Sequence, residues 1–474
     1  MARTMLIAAP AATRSGYGDM SRDICAQFIE WAEEHDYNVL INSLPWGDTP
    51  MNALEEDNPR HQKIQSKIMT QALHRQPEIF VHIGIPNEAK PYGKFNILCT
   101  AGIETTRVSA EWIHACNQMD LILTISEHSK RIFETSKYGV KNPQGGQDQI
   151  IELQTPIDIL HNCVHTDIFG KKAPQDQDMI KSLNEIPENF CFLFVGHWLR
   201  GEYGEDRKNV GLMIRLFLET FRQVKIKGGP PALVLKTSSA GFSILDREEI
   251  SEKIRKIKSS VKLGPGETLP SVYLLHGELT PVEMNTIYNH KKVKAHLSFT
   301  KGEGFGRPLL EASMSEKPII ASGWSGHLDF LDKDRAMLVG GDLTEVHDSV
   351  VWEPIIVKGS SWFSVDHGQA MNGMAAVASN YREFKNKAYD LAVANKKQFS
   401  YEAIRDRAHI LLDQYIPDFP DTVDIKLPSL QNVGSGAQGA GPTLPKLSKV
   451  SDEPAQPRGP KLPSLPKLEM VNDE

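Results

Sequence analysis

"TKGEGFGRPLLEAS" (residues 300–313) is the stretch on which the fold reading turns. An apolar run ends at Thr300, and "RPLLEASMSE" then carries a helical pattern. Pro308 suits the first turn of that helix, where a missing N–H costs nothing. Gly304 and Gly306 leave the backbone bare just ahead of it, so a ligand can approach closely. A helix start exposes unpaired N–H groups and partial positive charge, which favour an anion such as phosphate. Glu303 in the loop and Glu311 inside the helix are poor phosphate partners but good acceptors for sugar hydroxyls. A ligand with both phosphates and sugars would use both features.

Outward from this block, short apolar runs alternate with helical segments. In the first half the strand candidates are "MLIAAP" (5–10), "YNVLINS" (37–43), "EIFVHIG" (78–84), "FNILCTA" (95–101) and "DLILTIS" (120–126). The pattern restarts with "FCFLFVGHW" (190–198), "PALVLKTSS" (231–239), "SVYLLHG" (271–277), "VKAHLSFT" (293–300) and "KPIIASG" (317–323), with a helix predicted over 209–225. Continuous apolar strands separated by helices predict parallel sheets covered on both faces. The expected class is α/β with two Rossmann-like units in tandem, at 1–170 and 171–395. One amphipathic helix within 396–418 returns to the first unit. Residues 420–474 hold no aromatic side chain and are rich in Pro, Gly, Ser and Lys, so disorder is predicted there. "LPSL" (427–430), "LPKL" (444–447) and "LPSLPKL" (462–468) repeat within this tail, a pattern suited to a linker or to linear motifs for a protein partner.

Composition narrows the function. The chain has 474 residues and a formal net charge of −7, which disfavours a protein held to nucleic acid mainly by phosphate neutralisation. The five cysteines form no Cys-x-x-Cys pair, so zinc is not expected, and a reducing, cytoplasmic setting is. No apolar run reaches the roughly 18 residues that a membrane helix needs.

Four further blocks agree with the opening one. "EGFGRPLLEA" resembles the Glu-x7-Glu element of retaining GT-B glycosyltransferases, in the family of sucrose synthases and bacterial mannosyltransferases. "ILHNCVHTDIF" (159–169) is similar to that family's interdomain element. "FVGHWLRGEYGEDRKNVGLMIRLF" (194–217) is similar to its phosphate-clamp element. "VYLLHGELTPVEMNTIY" (272–288) resembles the border of its base pocket, and "QFSYEAIRDRAHILLDQY" its return helix. The resemblance implies sugar transfer from a UDP- or GDP-sugar with retention at the anomeric carbon, and no metal or other cofactor. It implies that Glu311 accepts from the donor ribose, that Glu303 meets the transferred sugar, and that the amides of Gly304, Phe305 and Gly306 seat the donor. Lys208 would neutralise the leaving diphosphate.

One position departs from the family pattern: His197 stands where an arginine is common. Arg200, Arg207 or Lys236 could restore the charge. The first unit should supply the acceptor side. Gly16 and Gly18 in "RSGYGDMSRD" (14–23) are candidates for close approach to the donor. Tyr17, Glu104 and Arg107 are candidates for the acceptor, and His82 at a strand end is a candidate catalytic group. Two other functions fit the same sequence: a non-catalytic glycosyltransferase-like module recruited by its tail, and a nucleic-acid glycosyltransferase.

Overall fold

Two six-stranded parallel sheets face one another across a cleft in the computed structural model, which describes residues 3–140, 149–199, 203–222, 226–239, 243–420 and 469–470. The first sheet is built from β1 (Arg3–Ala9), β2 (Tyr37–Ser43), β3 (Ile79–Ile83), β4 (Phe95–Thr100), β5 (Leu121–Thr124) and, after the short pair β6 (Tyr138–Val140) and β7 (Gln149–Ile151), β8 (Ile157–Ile159). Its strand order is β2-β1-β3-β4-β5-β8. The second comprises β9 (Cys191–Val195), β10 (Ala232–Lys236), β11 (Val272–Leu275), β12 (Val293–Ser298), β13 (Ile319–Ser322) and β14 (Met337–Val339), in the order β11-β10-β9-β12-β13-β14.

In both sheets the order reverses beside the first strand. In open parallel sheets ligands bind outside the carboxyl ends of the strands at such a reversal. The reversal lies between β1 and β3 in the first sheet and between β9 and β12 in the second. Beyond β1 the chain runs through Arg14 and Ser15 into the helix that begins at Gly16, His82 lies within the end of β3, and the segments after β9 and β12 carry "RKN" and "KGEGFG".

The repeated architecture follows from the apolar patterning. Val39 and Ile41 of β2, all of β3, and Ile97 to Cys99 of β4 are buried. The helix Val210–Phe221 buries Val210, Met213, Ile214 and Phe217 against β9 and β10. It ends at Phe221, short of the predicted 225; residues 223–225 lie outside the described ones. The return segment differs from a single helix. Tyr381–Phe399 and Tyr401–Tyr415 are separate helices, broken at Ser400, whose hydroxyl accepts from the Ala403 N–H and caps the second one. The Val164 N–H bonds the Phe399 carbonyl at 2.8 Å, tying this break to the crossing between the two units. The second helix then packs on the first helix of the chain, Gly16–Glu34.

Sequence reading missed the antiparallel pair β15 (Gly341–Glu345) and β16 (Ser361–Val365). The LPxL repeats fall outside the described residues. Near the end of the tail, β17 (Glu469–Met470) pairs antiparallel with β6. None of the helices among the described residues is long and apolar enough to cross a membrane.

Candidate active site

Gly306 has φ 94° and caps the helix Arg307–Ser313, with Pro308 in its first turn. That left-handed backbone is open to glycine at little cost, so the loop reverses sharply where the sequence places it. The reversal buries Glu303, which is 6% exposed, under the helix start. The Glu303 N–H donates to Ser325 Oγ at 2.9 Å. Its carboxylate takes Lys208 Nζ on one oxygen and Arg207 Nη1 at 3.3 Å on the other. Arg207 also reaches Glu104 of the first unit at 3.5 Å and donates to the Gly302 carbonyl at 2.8 Å. Burial alone would raise the Glu303 pKa, but Lys208 and Arg207 outweigh it and hold it down at about 2. The carboxylate is therefore ionised throughout the physiological range.

His197 sits among the cations. Its Nδ1 is 3.2 Å from Ser238 Oγ, and burial, then Lys208 and Lys236, push its pKa down. The imidazole is thus neutral, with Lys208, Lys236 and Arg207 as the cations acting on it. Arg200 lies outside the described residues. Burial lowers the Lys236 pKa as well. Lys208 and Arg207 stand against the carboxylates of Glu303 and Glu104, and the carboxylate of Glu278 acts on Lys236.

Glu311, one turn into the helix, receives Arg307 Nε at 3.2 Å. Here burial prevails over Arg307, and the pKa rises to about 7. Arg307 also crosses to the first unit, where Nη1 meets Asp23 Oδ2 at 3.1 Å. Asp23 Oδ1 lies 2.7 Å from His165 Nε2, and Arg60 Nη1 lies 2.6 Å from His165 Nδ1. Since Arg60 can only donate, His165 Nδ1 accepts and the ring proton sits on Nε2, facing Asp23. Asp23, Cys163 and His165 present ligand-type atoms within 4.8 Å of one another. The guanidiniums of Arg307 and Arg60 lie against two of the three, so the cluster fits an ion-pair network better than a metal.

The first unit's candidates separate. The Tyr17 hydroxyl accepts from the Ala101 N–H at 3.0 Å and lies 3.2 Å from Thr100 Oγ1, while its ring packs on Trp46 with centroids 4.2 Å apart. Glu104 joins Arg207 as described. Arg107 lies elsewhere, against Gly359. Gly16 and Gly18 begin the first helix instead of forming a loop ahead of it. A Cβ on Gly18 would fall 2.1 Å from the Thr13 carbonyl oxygen, so packing within its own turn accounts for that glycine. His82 is buried at the end of β3, on the rim of a separate pocket.

The two rims touch at Gly304, where a Cβ would lie 2.4 Å from the Ala101 carbonyl oxygen. We expect Gly304→Ala to force these backbones apart. Overpacking of this kind costs about 1–3 kcal/mol, so the radius of gyration by small-angle scattering should increase. An unchanged radius would show that the contact does not hold the cleft closed. Arg307, Asp23, Ser325 and Trp46 were missed in the sequence. Of these, only Arg307, inside the decisive block, carried a local signal.

No family model matches the chain, and no curated relative matches it. Solved structures do. HepE of Anabaena, solved with UDP and glucose, aligns over 87% of this chain and 100% of its own at 12% identity, with a TM-score of 0.51. Sucrose-phosphate synthase of Thermosynechococcus elongatus aligns over 87% and 98% at 11% identity, with a TM-score of 0.54. An Escherichia coli structure described as trehalose-6-phosphate bound with UDP-2-fluoro glucose aligns over 88% and 100% at 10% identity, with a TM-score of 0.53. The fold is GT-B. At such identities the likeness carries the architecture, and this chain's chemistry rests on its own side chains.

Proposed function

We propose that the protein is a retaining glycosyltransferase that moves a sugar from a nucleoside diphosphate donor to a hydroxyl acceptor. The observation that carries this reading is the convergence of Glu303, Lys208 and Arg207 at the second sheet's strand reversal, with Glu311 in the adjoining helix. Structures of the same fold solved with UDP, or with UDP-2-fluoro glucose, support a UDP-sugar as the first donor to test. Retention rests on the resemblance of "EGFGRPLLEA" to the Glu-x7-Glu element.

In this reading Lys208, with Arg207 and Lys236 behind it, meets the diphosphate and stabilises the charge that develops as it leaves. Glu303 orients the sugar hydroxyls. The acceptor oxygen forms its bond to the anomeric carbon while the bond from that carbon to the phosphate oxygen breaks. The leaving diphosphate keeps the electron pair and takes the acceptor's proton. Glu311 accepts from the ribose hydroxyls, and the residues at the first sheet's rim, Tyr17 and Glu104, face the acceptor.

The assay is donor hydrolysis and binding with a panel of UDP-, GDP- and ADP-sugars; failure to bind or cleave any of them would overturn the reading. Glu311→Ala should weaken donor binding by about tenfold to a hundredfold, as expected for a lost hydrogen bond to a charged group. The ribose contact requires the carboxylate, and its pKa is raised to about 7. Donor affinity should therefore rise with pH through neutrality in the wild type and lose that rise in Glu311→Gln. A calorimetric titration across that range checks both statements.

A further inference from the structure

Arg307 engages both units with a single guanidinium. Within its own helix, Nε reaches Glu311 Oε1 at 3.2 Å, one turn further on. Toward the first unit, Nη1 faces Asp23 Oδ2 at 3.1 Å on the helix Gly16–Glu34. Nη1 and Oδ2 are both buried, and neither makes a hydrogen bond among the described residues, so this charge pair is the contact that fixes them. A guanidinium is planar and rigid. With two of its nitrogens held by carboxylates on different units, its orientation is set.

Asp23 is itself fixed from behind. Its Oδ1 accepts from His165 Nε2 at 2.7 Å, and His165 Nδ1 accepts from Arg60 Nη1 at 2.6 Å. Arg60 belongs to the helix Pro59–Ser66 between β2 and β3 and lies over the Tyr401 ring, 4.4 Å from its centroid. The Tyr401 hydroxyl donates to Glu30 at 2.9 Å. The place of Nη1 is therefore set by the first unit and that of Nε by the second. A guanidinium released at one end favours the fork geometry, with two parallel N–H donors on one carboxylate. Four residues away on the same helix, Glu311 is within reach of such a grip. Its side chain is 15% exposed, and a fork would occupy both of its oxygens.

We propose that Asp23 is a positioning residue for Glu311: by holding Nη1 on the first unit it limits Arg307 to a single-nitrogen contact and keeps the Glu311 carboxylate open to ligand hydroxyls. Contact between the two units and access to that carboxylate are thereby linked. The inference deepens the glycosyl-transfer reading and rests on it only for the identity of the ligand, the donor ribose.

The charges around Glu311 give the sign of the test. Arg307 faces it from its own helix, Asp19 from the first helix, His165 from the crossing and Tyr288 from the helix Pro281–Asn289. Burial raises the Glu311 pKa to about 7 against the pull of Arg307. Asp23→Asn keeps an acceptor for His165 and removes the charge, so Arg307 should close on Glu311 with both nitrogens and hold it ionised.

The test is a donor-free carbon NMR titration of the full chain labelled at its glutamate carboxyl carbons, with the Glu311 signal assigned by its loss in Glu311→Gln. In Asp23→Asn the midpoint should fall by about one pH unit or more, and affinity for UDP-glucose above the midpoint should fall about tenfold. Arg307→Met should raise the midpoint instead. Adding Asp23→Asn to Arg307→Met should change it little, because Asp23 acts through Arg307; this comparison carries the test if the single Asp23 variant does not fold. An unmoved midpoint in folded Asp23→Asn overturns the proposal, since loosened packing alone would weaken binding equally at every pH. So does a double variant whose midpoint lies well below that of Arg307→Met, which would mean that Asp23 acts on Glu311 directly. A midpoint that moves as expected while UDP-glucose binds wild type and Asp23→Asn alike upholds the positioning of Glu311 and counts against its role at the ribose.

Discussion

Lys208→Ala is expected to lower donor turnover by about a hundredfold to a thousandfold while changing donor affinity far less. Lys208 is half-buried against Glu303 at the rim from which β9 hands over to its helix. The diphosphate gains negative charge as it leaves, so a cation fixed there stabilises the transition state more than the bound donor. Its fixing matters as much as its charge. Glu303 holds Lys208 on one oxygen while Arg207 takes the other, and Ser325 anchors the Glu303 backbone. Steady-state hydrolysis of the preferred UDP-sugar, with binding measured separately, resolves the two effects. An equal loss in both would make Lys208 a ground-state phosphate ligand. Glu303→Gln should then resemble Lys208→Ala in part, since it removes the charge that pins the lysine.

Asp23→Ala is expected to destabilise the protein by about 3–5 kcal/mol, the usual consequence of leaving one member of a buried ion pair unmatched. Asp23 is 6% exposed and faces Arg307 at 3.1 Å and His165 at 2.7 Å. Removing it takes away the carboxylate facing Arg307 Nη1 and leaves that guanidinium with Glu311 at its Nε. Burial works against the charged carboxylate, but Arg307 and His165 more than compensate, so the folded pKa falls below the ordinary carboxylate range. The sign follows from that depression. Below the unfolded value, near 3.8, the unfolded chain takes up a proton before the folded one does. The stabilising contribution is therefore complete above about pH 4 and shrinks as the pH falls further. Urea unfolding should show a large gap between wild type and Asp23→Ala at neutral pH and a smaller one in acid. A double variant with Arg307→Met should recover part of the loss. A gap that does not change with pH would mean that the cost comes from packing and not from the charge pair.

The parts of this site that were legible in the sequence are those whose partners are close along the chain. Glu303, Gly306, Pro308 and Glu311 belong to one turn and one short helix, so their relation could be derived before any tertiary structure was known. The strands were equally legible where burial is continuous: "EIFVHIG" contains β3, Ile79–Ile83, which is buried throughout. The three-residue β8 gave no usable period, and β15 is exposed along its whole length, so neither carried the apolar signal that marked the others. The break at Ser400 was hidden because the apolar pattern runs through it; only the hydroxyl cap marks the boundary.

Long-range ion pairs were out of reach for a different reason. Nothing near Asp23 indicates that Arg307 will meet it, because the contact exists only once the two units close. His82 shows a related limit. Its place at a strand end was legible, but the face it lines was not. That face depends on which side of the sheet the β2-to-β3 connection lays its one helix. His197 shows the same limit: the cations that act on it, Lys208, Lys236 and Arg207, come from two separate segments of the chain.

The most direct test of the central claim is the anomeric configuration of glucose released from UDP-α-glucose, followed by proton NMR before mutarotation. The account predicts UDP together with α-glucose as the first product, formed by the wild type and far more slowly by Lys208→Ala. Release of β-glucose would contradict retention, and a Lys208→Ala rate equal to wild type would contradict the site itself.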